Sequence, residues 1–214
     1  MTIRHHPSDE HLFAYSAGTL DQGQHVALAT HLLQCGECRD WVHGMETLGG
    51  SVLSELPPSA MADDALIRLE ARLDEPITAP SDPRGDTYCD MPGLPPFVRR
   101  LPAGDWKRVA PNVELRRIAL SDRGDTRVFL LRSKSGVKML PHYHTGFEMT
   151  CVLSGSFSHD GARYGPGDFD FGDSQTNHEI AIGPEGECIS LVAMQGELKL
   201  KGFIGHLIQP FISI

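Results

Sequence analysis

Apolar side chains in the first fifty residues recur three and four positions apart, which is the spacing of one face of an α-helix. A first helix is predicted between Ser8, a favourable N-cap, and Gly18, a favourable C-cap. A second helix is predicted to start at Thr19-Leu-Asp-Gln22, which matches a capping box. The apolar face of this second helix consists of Val26, Ala29, Leu32 and Leu33.

Two further helices are predicted before residue 75. The third begins near Glu37, and Gly49-Gly50 is expected to weaken or end it. Its apolar positions are Trp41, Met45 and Leu48. The fourth follows a break at Pro57-Pro58, so it need not pack on the first three helices and could face a partner. Its apolar positions are Ala62, Ala65, Leu66, Leu69 and Leu73.

The pattern changes after residue 75. Six prolines between Glu75 and Pro96 indicate a linker. Beyond Phe97, short apolar runs alternate with Gly, Asp and Pro turns, which is typical of a β-sandwich or barrel. These runs include Val128 to Leu131, Glu148 to Leu153 and Cys188 to Val192. The sequence therefore predicts an α+β multidomain chain, with a small all-helical domain (1–75), a Pro-rich linker (76–96) and a β domain (97–214).

Charge is concentrated in the helical part of the chain. Residues 1–75 contain four Arg, no Lys and twelve Asp or Glu, which accounts for −8 of the net charge of −9. An acidic module repels nucleic-acid backbones, so a basic protein partner is expected rather than direct nucleic-acid binding. The sequence shows neither a signal peptide nor an apolar run of about 18 residues, and five cysteines fit a reducing compartment, so a cytoplasmic protein is predicted.

Three potential metal ligands lie within eight residues at the end of the second predicted helix. His31 and Cys35 are four residues apart and share a helical face, and Cys38 follows one turn later. Thiolate and imidazole are the ligands that Zn²⁺ prefers. His5 or His6 could complete a closed, structural site. The competing interpretations are a redox Cys-x-x-Cys motif and two unrelated buried thiols, but redox motifs of this kind belong to a βαβ context, and these residues lie among predicted helices.

The β domain contains a second group of potential ligands. On a strand, His142 and His144 point to the same side, and both can face a barrel interior with Glu148 after a short bend. The turn Gly165-Pro-Gly-Asp168 leads towards His178 on a later strand. Three imidazoles and a carboxylate can bind a divalent first-row metal. The remaining histidines form no ligand-spaced group and are expected at surfaces or turns; they are His11, His25, His43, His159 and His206.

The other thiols have less definite roles. Cys151 and Cys188 fall in predicted strands and are expected to be buried, with oxidative sensing by Cys188 as the alternative. Cys89 falls in the predicted linker and is expected to be exposed and dispensable.

These motifs together resemble a known family. The stretch from Gly136 to Gly155 is similar to the first cupin motif, and Gly165 to Asp168 with His178 is similar to the second. The front of the chain, with His6 and His31-x-x-x-Cys35-x-x-Cys38, resembles the zinc-binding domain of bacterial anti-sigma factors. Their order in one chain resembles the ChrR family of cupin-containing zinc anti-sigma factors.

The resemblance implies both a structure and a role. It implies a four-helix domain that clamps an extracytoplasmic-function sigma factor, and a jelly-roll cupin that senses oxidative stress through singlet oxygen or organic peroxides. The implied structural zinc ligands are His6, His31, Cys35 and Cys38. The implied cupin ligands are His142, His144, Glu148 and His178, for Zn²⁺ or alternatively Mn²⁺, Fe²⁺ or Ni²⁺.

The function that follows is inhibition by occlusion, without catalytic residues, membrane contact or direct nucleic-acid binding. The competing hypothesis is a metal-dependent cupin enzyme, such as a dioxygenase or isomerase, with an accessory helical domain. Three histidines and one glutamate leave open coordination positions, as a catalytic metal requires. A third hypothesis is a ligand-binding cupin whose helices contact some other regulator.

Overall fold

The computed structural model describes residues 2–73, 75, 89, 91–121 and 124–200, apart from the side chains of residues 177 and 178. Most of the predicted linker, and His206, lie outside the described residues. The helices are α1 (Asp9–Ser16), α2 (Gln22–Gln34), α3 (Gly36–Glu55), α4 (Ala65–Leu73) and the short α5 (Pro96–Arg99). The strands are β1 (Lys107–Ala110), β2 (Val113–Ile118), β3 (Arg127–Ser133), β4 (His142–His144), β5 (Glu148–Ser154), β6 (Phe157–His159), β7 (Ala162–Tyr164), β8 (Phe169–Gly172), β9 (Asn177–His178), β10 (Ala181–Ile182), β11 (Cys188–Met194) and β12 (Leu198–Leu200).

The predicted cap of α1 is confirmed, whereas that of α2 is wrong by two residues. Ser8 accepts a hydrogen bond from the His11 N–H, as an N-cap should. In α2 the capping box is formed by Asp21 and Gln24. The Thr19 hydroxyl instead donates to the Ala14 carbonyl at the end of α1. Asp21 therefore supplies the acceptor for the first turn of α2, and Thr19 closes the preceding helix.

Helix α3 continues through Gly49-Gly50, so of the two expected effects, weakening or ending the helix, the second is wrong. A glycine inside a helix costs about 1 kcal/mol relative to alanine, which a long helix can tolerate. The helix ends at Glu55, and Leu56 is extended because Pro57 follows it. The outcome is a 20-residue helix whose second half extends beyond the core.

The β domain is built from antiparallel sheets. A six-stranded sheet has the order β1-β2-β3-β11-β5-β8, and two three-stranded sheets have the orders β10-β6-β7 and β12-β4-β9. All three predicted apolar runs lie on strands of the large sheet. The predicted order, helices followed by a β domain of packed antiparallel sheets, is confirmed.

Helix α2 packs directly on the large sheet. One core contains Val26 and Leu28 of α2 together with Leu130, Met149 and Leu191 of the central strands. Alternate residues of β11, such as Val192 and Met194, belong to a different cluster on the other face of the sheet. The central strands are therefore buried on both faces, because α2 covers one and the smaller sheets cover the other.

The end of the predicted linker also joins this core. Cys89 and Leu94 of the predicted linker, and Val98 just after it, are fully buried in the cluster that contains α2. The expectation that Cys89 would be exposed is therefore wrong. The proline-rich composition correctly predicted an irregular backbone at residues 91–95. An irregular segment can still bury its apolar side chains.

The second half of α3 and the whole of α4 present unpaired apolar surface. No residue of α4 is buried. The exposed side chains, hereafter the α3–α4 apolar surface, are Leu48, Val52, Leu53, Leu56, Leu66, Leu69 and Leu73. In the ranges that the structure describes, no helix combines the length and apolar character needed to cross a membrane.

Candidate metal centre

Four of the predicted ligands converge where α2 meets α3. The ligand atoms of His6, His31, Cys35 and Cys38 all lie within 4.8 Å of one another. Nδ1 of His6 lies 3.4 Å from Sγ of Cys35 and 3.3 Å from Sγ of Cys38, and Nε2 of His31 lies 3.3 Å from the Cys38 sulfur. Tetrahedral zinc with ordinary bond lengths separates its nitrogen and sulfur ligands by about 3.6 Å. These donors and distances fit a closed tetrahedral site.

The junction between the two helices creates this geometry. Cys35 is both the C-cap of α2 and the N-cap of α3, and its sulfur accepts from the Cys38 N–H at 3.5 Å. His31 lies one turn earlier, and its carbonyl accepts from the Cys35 N–H at 2.9 Å. The N-terminus of a helix stabilises negative charge, so the start of α3 favours thiolates at this position.

Burial sets the protonation preferences of the cluster. Desolvation lowers the pKa of His31 to about 4, so the ring is neutral at pH 7, as a ligand must be. Desolvation, and then the neighbouring Cys35, raises the pKa of Cys38 to about 12. A buried thiol of this kind becomes a thiolate only if a cation compensates it. A divalent metal at the centre of the four ligands would provide that charge.

The structure distinguishes His6 from His5. The His5 ring stacks on Tyr164 with centroids 4.1 Å apart, and its Nε2 lies 3.1 Å from the Arg163 carbonyl oxygen. His6 has its Nδ1 towards the sulfurs and its Nε2 3.9 Å from the Glu37 carboxylate. Of the two N-terminal candidates left open by the sequence, His6 joins the cluster and His5 packs on the β domain.

The three predicted cupin ligands whose side chains the structure describes are neighbours in pairs, but their donor atoms do not all lie within 4.8 Å of one another as those of the N-terminal cluster do. His142 and His144 lie on β4 with ring centroids 5.3 Å apart, and Nε2 of His144 lies 3.4 Å from Oε2 of Glu148 at the start of β5. Desolvation lowers the pKa of His144 to about 4 and raises the pKa of Glu148. The backbone of His178 pairs with that of His142, but its side chain lies outside the described residues. A metal held by all four residues remains a prediction.

An apolar cavity reaches these residues. Its volume is about 420 Å³, and His142 and Glu148 contribute to its wall. Most of the remaining lining is apolar, including Phe129, Met139, Ile180 and Met194. A cavity of this size and character can hold a small organic molecule.

Comparison with known proteins covers the whole chain. A curated relative, the anti-sigma-E factor ChrR of Cereibacter sphaeroides, is 35% identical over 215 residues, spanning 100% of this chain and 100% of that protein. The chain belongs to the ChrR family of anti-sigma factors. The family model described as the ChrR cupin-like domain matches residues 96–197. A crystal structure of Rhodobacter sphaeroides SigE in complex with the anti-sigma ChrR superposes with a TM-score of 0.75 at 33% identity, covering 91% of this chain and 100% of that chain.

Membership of the ChrR family confirms the resemblance inferred from the two motif sets. An anti-sigma factor is a regulator, so the expectation that the chain is not an enzyme is also confirmed. The alternative of a cupin dioxygenase or isomerase is not supported.

Sequence reasoning missed one buried histidine of this ChrR-family cupin. His159 was expected at a surface or turn, but it is buried on β6 with its Nδ1 3.1 Å from Oδ2 of Asp170. Besides burial, which raises the pKa of Glu148, the charge of Asp170 raises it further and His159 lowers it. This histidine–aspartate pair therefore influences the protonation of Glu148, one of the predicted cupin ligands. The available signal was the alternation of Phe157 and His159 on one face of a strand.

The β-strand thiols face opposite sides of the large sheet. Cys151 belongs to the core shared with α2, whereas Cys188 lines a small internal cavity together with Glu148 and Thr150. Both are buried, as predicted. Burial raises the pKa of Cys188 to about 11 and also raises that of Cys151. Both thiols are therefore protonated at neutral pH, which disfavours rapid oxidation.

Proposed function

We propose that this chain binds a sigma factor of the extracytoplasmic-function class and inhibits it by occlusion. The observation that carries the proposal is the α3–α4 apolar surface, an unpaired surface on a chain of the ChrR family. Groups of large apolar side chains left exposed on helix faces, as on α3 and α4, mark protein interaction sites. An amphipathic helix such as α4 can lie in a groove of a partner or cover one of its faces.

Charge supports the same partner. The helical residues 1–75 carry a net charge of −8 around this apolar surface. A sigma factor presents basic surfaces to DNA, and an acidic module is complementary to them. Inhibition then needs no chemistry, because the bound module blocks the surfaces that the sigma factor uses.

The N-terminal cluster would hold structural Zn²⁺. Two thiolates and two neutral imidazoles balance the charge of the ion and leave no open coordination position, which is the pattern of structural sites. When bound, the metal would stabilise the junction of α2 and α3. The cluster therefore serves to orient α3, the helix that carries half of the apolar surface.

The β domain would sense oxidative stress and cause release of the sigma factor. His142, His144, Glu148 and His178 are the residues that would hold a second divalent metal there. The apolar cavity beside His142 and Glu148 supports this role, because it has room for an organic molecule such as a peroxide. Under this proposal residues 1–75 bind the sigma factor and residues 97–214 control its release.

Co-expression tests the proposed partner. The chain and a sigma factor encoded beside it are produced together, and only the sigma factor carries an affinity tag. A one-to-one complex that survives gel filtration is the expected result. A sigma factor that purifies alone, with the chain folded in the unbound fraction, would refute the proposal.

Replacing His144 by alanine should separate sensing from binding. The fully buried His144 contributes to the cupin ligand group and shares no residue with the N-terminal cluster. The variant is expected to lose one of two bound metals, to keep its affinity for the sigma factor within about twofold, and to stop releasing it under singlet oxygen or organic peroxide. Metal analysis, titration and a sigma-dependent reporter measure these three quantities.

The matched control is Tyr143→Ala, on the same strand with its side chain on the opposite face. It should keep both metals and the stress response. A normal response in His144→Ala after confirmed metal loss would show that the cupin metal is not the sensor.

A further inference from the structure

The turn Gly165-Pro-Gly-Asp168, between β7 and β8, holds the segment that leads into His6. The buried carboxylate of Asp168 accepts at Oδ1 from the backbone N–H groups of Arg4, at 2.7 Å, and His5, at 3.0 Å. Its Oδ2 accepts from the Gly165 N–H at 2.8 Å, and the Phe169 N–H donates to the His5 carbonyl at 3.0 Å. The two residues before His6 are therefore fixed to the β domain.

The same turn contacts the second histidine of the cluster. Nδ1 of His31 lies 2.7 Å from the Gly167 carbonyl oxygen. Because a carbonyl can only accept, Nδ1 carries the proton and the lone pair of Nε2 faces the sulfurs. Gly167 has a φ of 88°, and a Cβ there would lie 2.7 Å from Cδ1 of Ile3, so this close approach requires glycine.

The two cysteines are held by different contacts, within the junction of α2 and α3. We propose that the turn Gly165–Asp168 positions both histidine ligands of the N-terminal metal site, with Asp168 as the positioning residue for His6 and the Gly167 carbonyl for His31. The inference rests on the proposed occupancy of that site by zinc. Hydrogen-bond partners of ligating histidines fix the tautomer and the orientation of the ring.

This arrangement also connects the N-terminal cluster to the strand that carries Glu148, one of the predicted cupin ligands. The Val152 N–H donates to the Asp168 carbonyl at 3.1 Å, and the Gly167 N–H donates to the Val152 carbonyl at 2.9 Å. Val152 lies on β5, the strand that begins with Glu148. A displacement of β5 would therefore move the supports of two of the four zinc ligands while the cysteines stayed with the helices. The β domain could thus loosen the N-terminal site without contacting the sigma factor.

Cobalt substitution of the full chain tests the inference. Thiolate-to-Co²⁺ charge-transfer absorption reports only a site that contains cysteine ligands, so it distinguishes the N-terminal site from the cupin site. In Asp168→Ala this absorption is expected to decay about 10- to 100-fold faster than in the wild type after addition of excess chelator. Arg4→Pro, which removes one N–H donor to Asp168, should also accelerate the decay.

Two controls match these variants. Arg4→Ala keeps the backbone N–H and should decay at the wild-type rate. Thr126→Val removes a different hydrogen bond between the helices and the sheet, from Thr126 Oγ1 to Oδ2 of Asp21 at 2.5 Å, and should also behave as the wild type.

Wild-type decay rates in both Asp168→Ala and Arg4→Pro would overturn the role of the turn, and equal acceleration in Thr126→Val would show that any loosening of the interface suffices. If Asp168→Ala does not fold, the comparison of decay rates between Arg4→Pro and Arg4→Ala tests the role of the turn. Absence of the absorption in the wild type would refute the proposed metal site itself. No sigma factor is present in the assay, so failure of the chain to bind one is measured separately.

Discussion

Cys35→Ser and Cys38→Ser, singly or together, are expected to abolish binding of the sigma factor. Each substitution removes a thiolate from a buried four-ligand cluster, and the free energy of metal binding is available only to the folded junction. Without it, the start of α3 is no longer fixed to α2 and to His6, so the α3–α4 apolar surface loses its orientation. We expect a loss of at least about 3 kcal/mol of binding free energy, or more than about 100-fold in Kd.

Titration of the sigma factor with each variant, together with zinc analysis, measures the effect. Cys188→Ser is the matched control, because Cys188 is also buried but lies outside the N-terminal cluster. Its sulfur lies 3.8 Å from the Ser190 hydroxyl, so the hydroxyl of the substituted serine has a hydrogen-bond partner. It should keep zinc and affinity. Tight binding by a zinc-free Cys35→Ser/Cys38→Ser double variant would show that the metal is not needed to orient α3.

A single charge in the α3–α4 apolar surface is expected to prevent binding without disturbing the fold. Leu69 of α4 is 57% exposed and Val52 of α3 is 56% exposed, so aspartate at either position is solvated in the free chain. In the complex the same carboxylate would be buried without a partner. Loss of a central apolar anchor costs about 2 to 4 kcal/mol, and we expect Leu69→Asp to weaken binding by about 30-fold or more.

The control for this prediction is Ala71→Asp, which introduces the same charge on the opposite face of α4. It should bind like the wild type. The unfolding temperatures of Val52→Asp, Leu69→Asp and Ala71→Asp should equal that of the wild type within a few degrees, since none of these three residues is buried. Equal effects of Leu69→Asp and Ala71→Asp would show that charge alone, and not the apolar surface, determines binding.

Local spacing was sufficient to predict the N-terminal cluster. His31, Cys35 and Cys38 lie within eight residues, and the junction of α2 and α3 at Cys35 brings their side chains together, although the single helical face suggested by the spacing is interrupted there. The same holds for His142 and His144, whose shared side follows from the alternation of a strand. Local spacing could not decide whether His5 or His6 joins the cluster. That choice depends on Tyr164 and Arg163, which contact His5 and lie more than 150 residues away in the chain.

The contact between helices and sheet was the main feature that the sequence analysis missed. Charge and prolines indicated two independent modules, yet α2 is buried on nearly all sides between α1, α3 and the sheet. A signal was present, because Val26, Ala27, Leu28 and Ala29 are consecutive and apolar, and a helix that is apolar all round is a buried helix. Cys89 was misplaced for the related reason that a linker composition does not reveal which side chains reach a core.

Run-off transcription in a reconstituted system tests the central claim most directly. The sigma factor and core RNA polymerase are used at fixed concentrations. The zinc-loaded chain is titrated into the sigma factor, and core RNA polymerase is added afterwards. Occlusion predicts that sigma-dependent transcript disappears as the chain reaches one equivalent of sigma factor, and that the same amount of Leu69→Asp inhibits transcription less. Full transcription in the presence of excess wild-type chain would contradict the assignment of this protein as an inhibitor of the sigma factor.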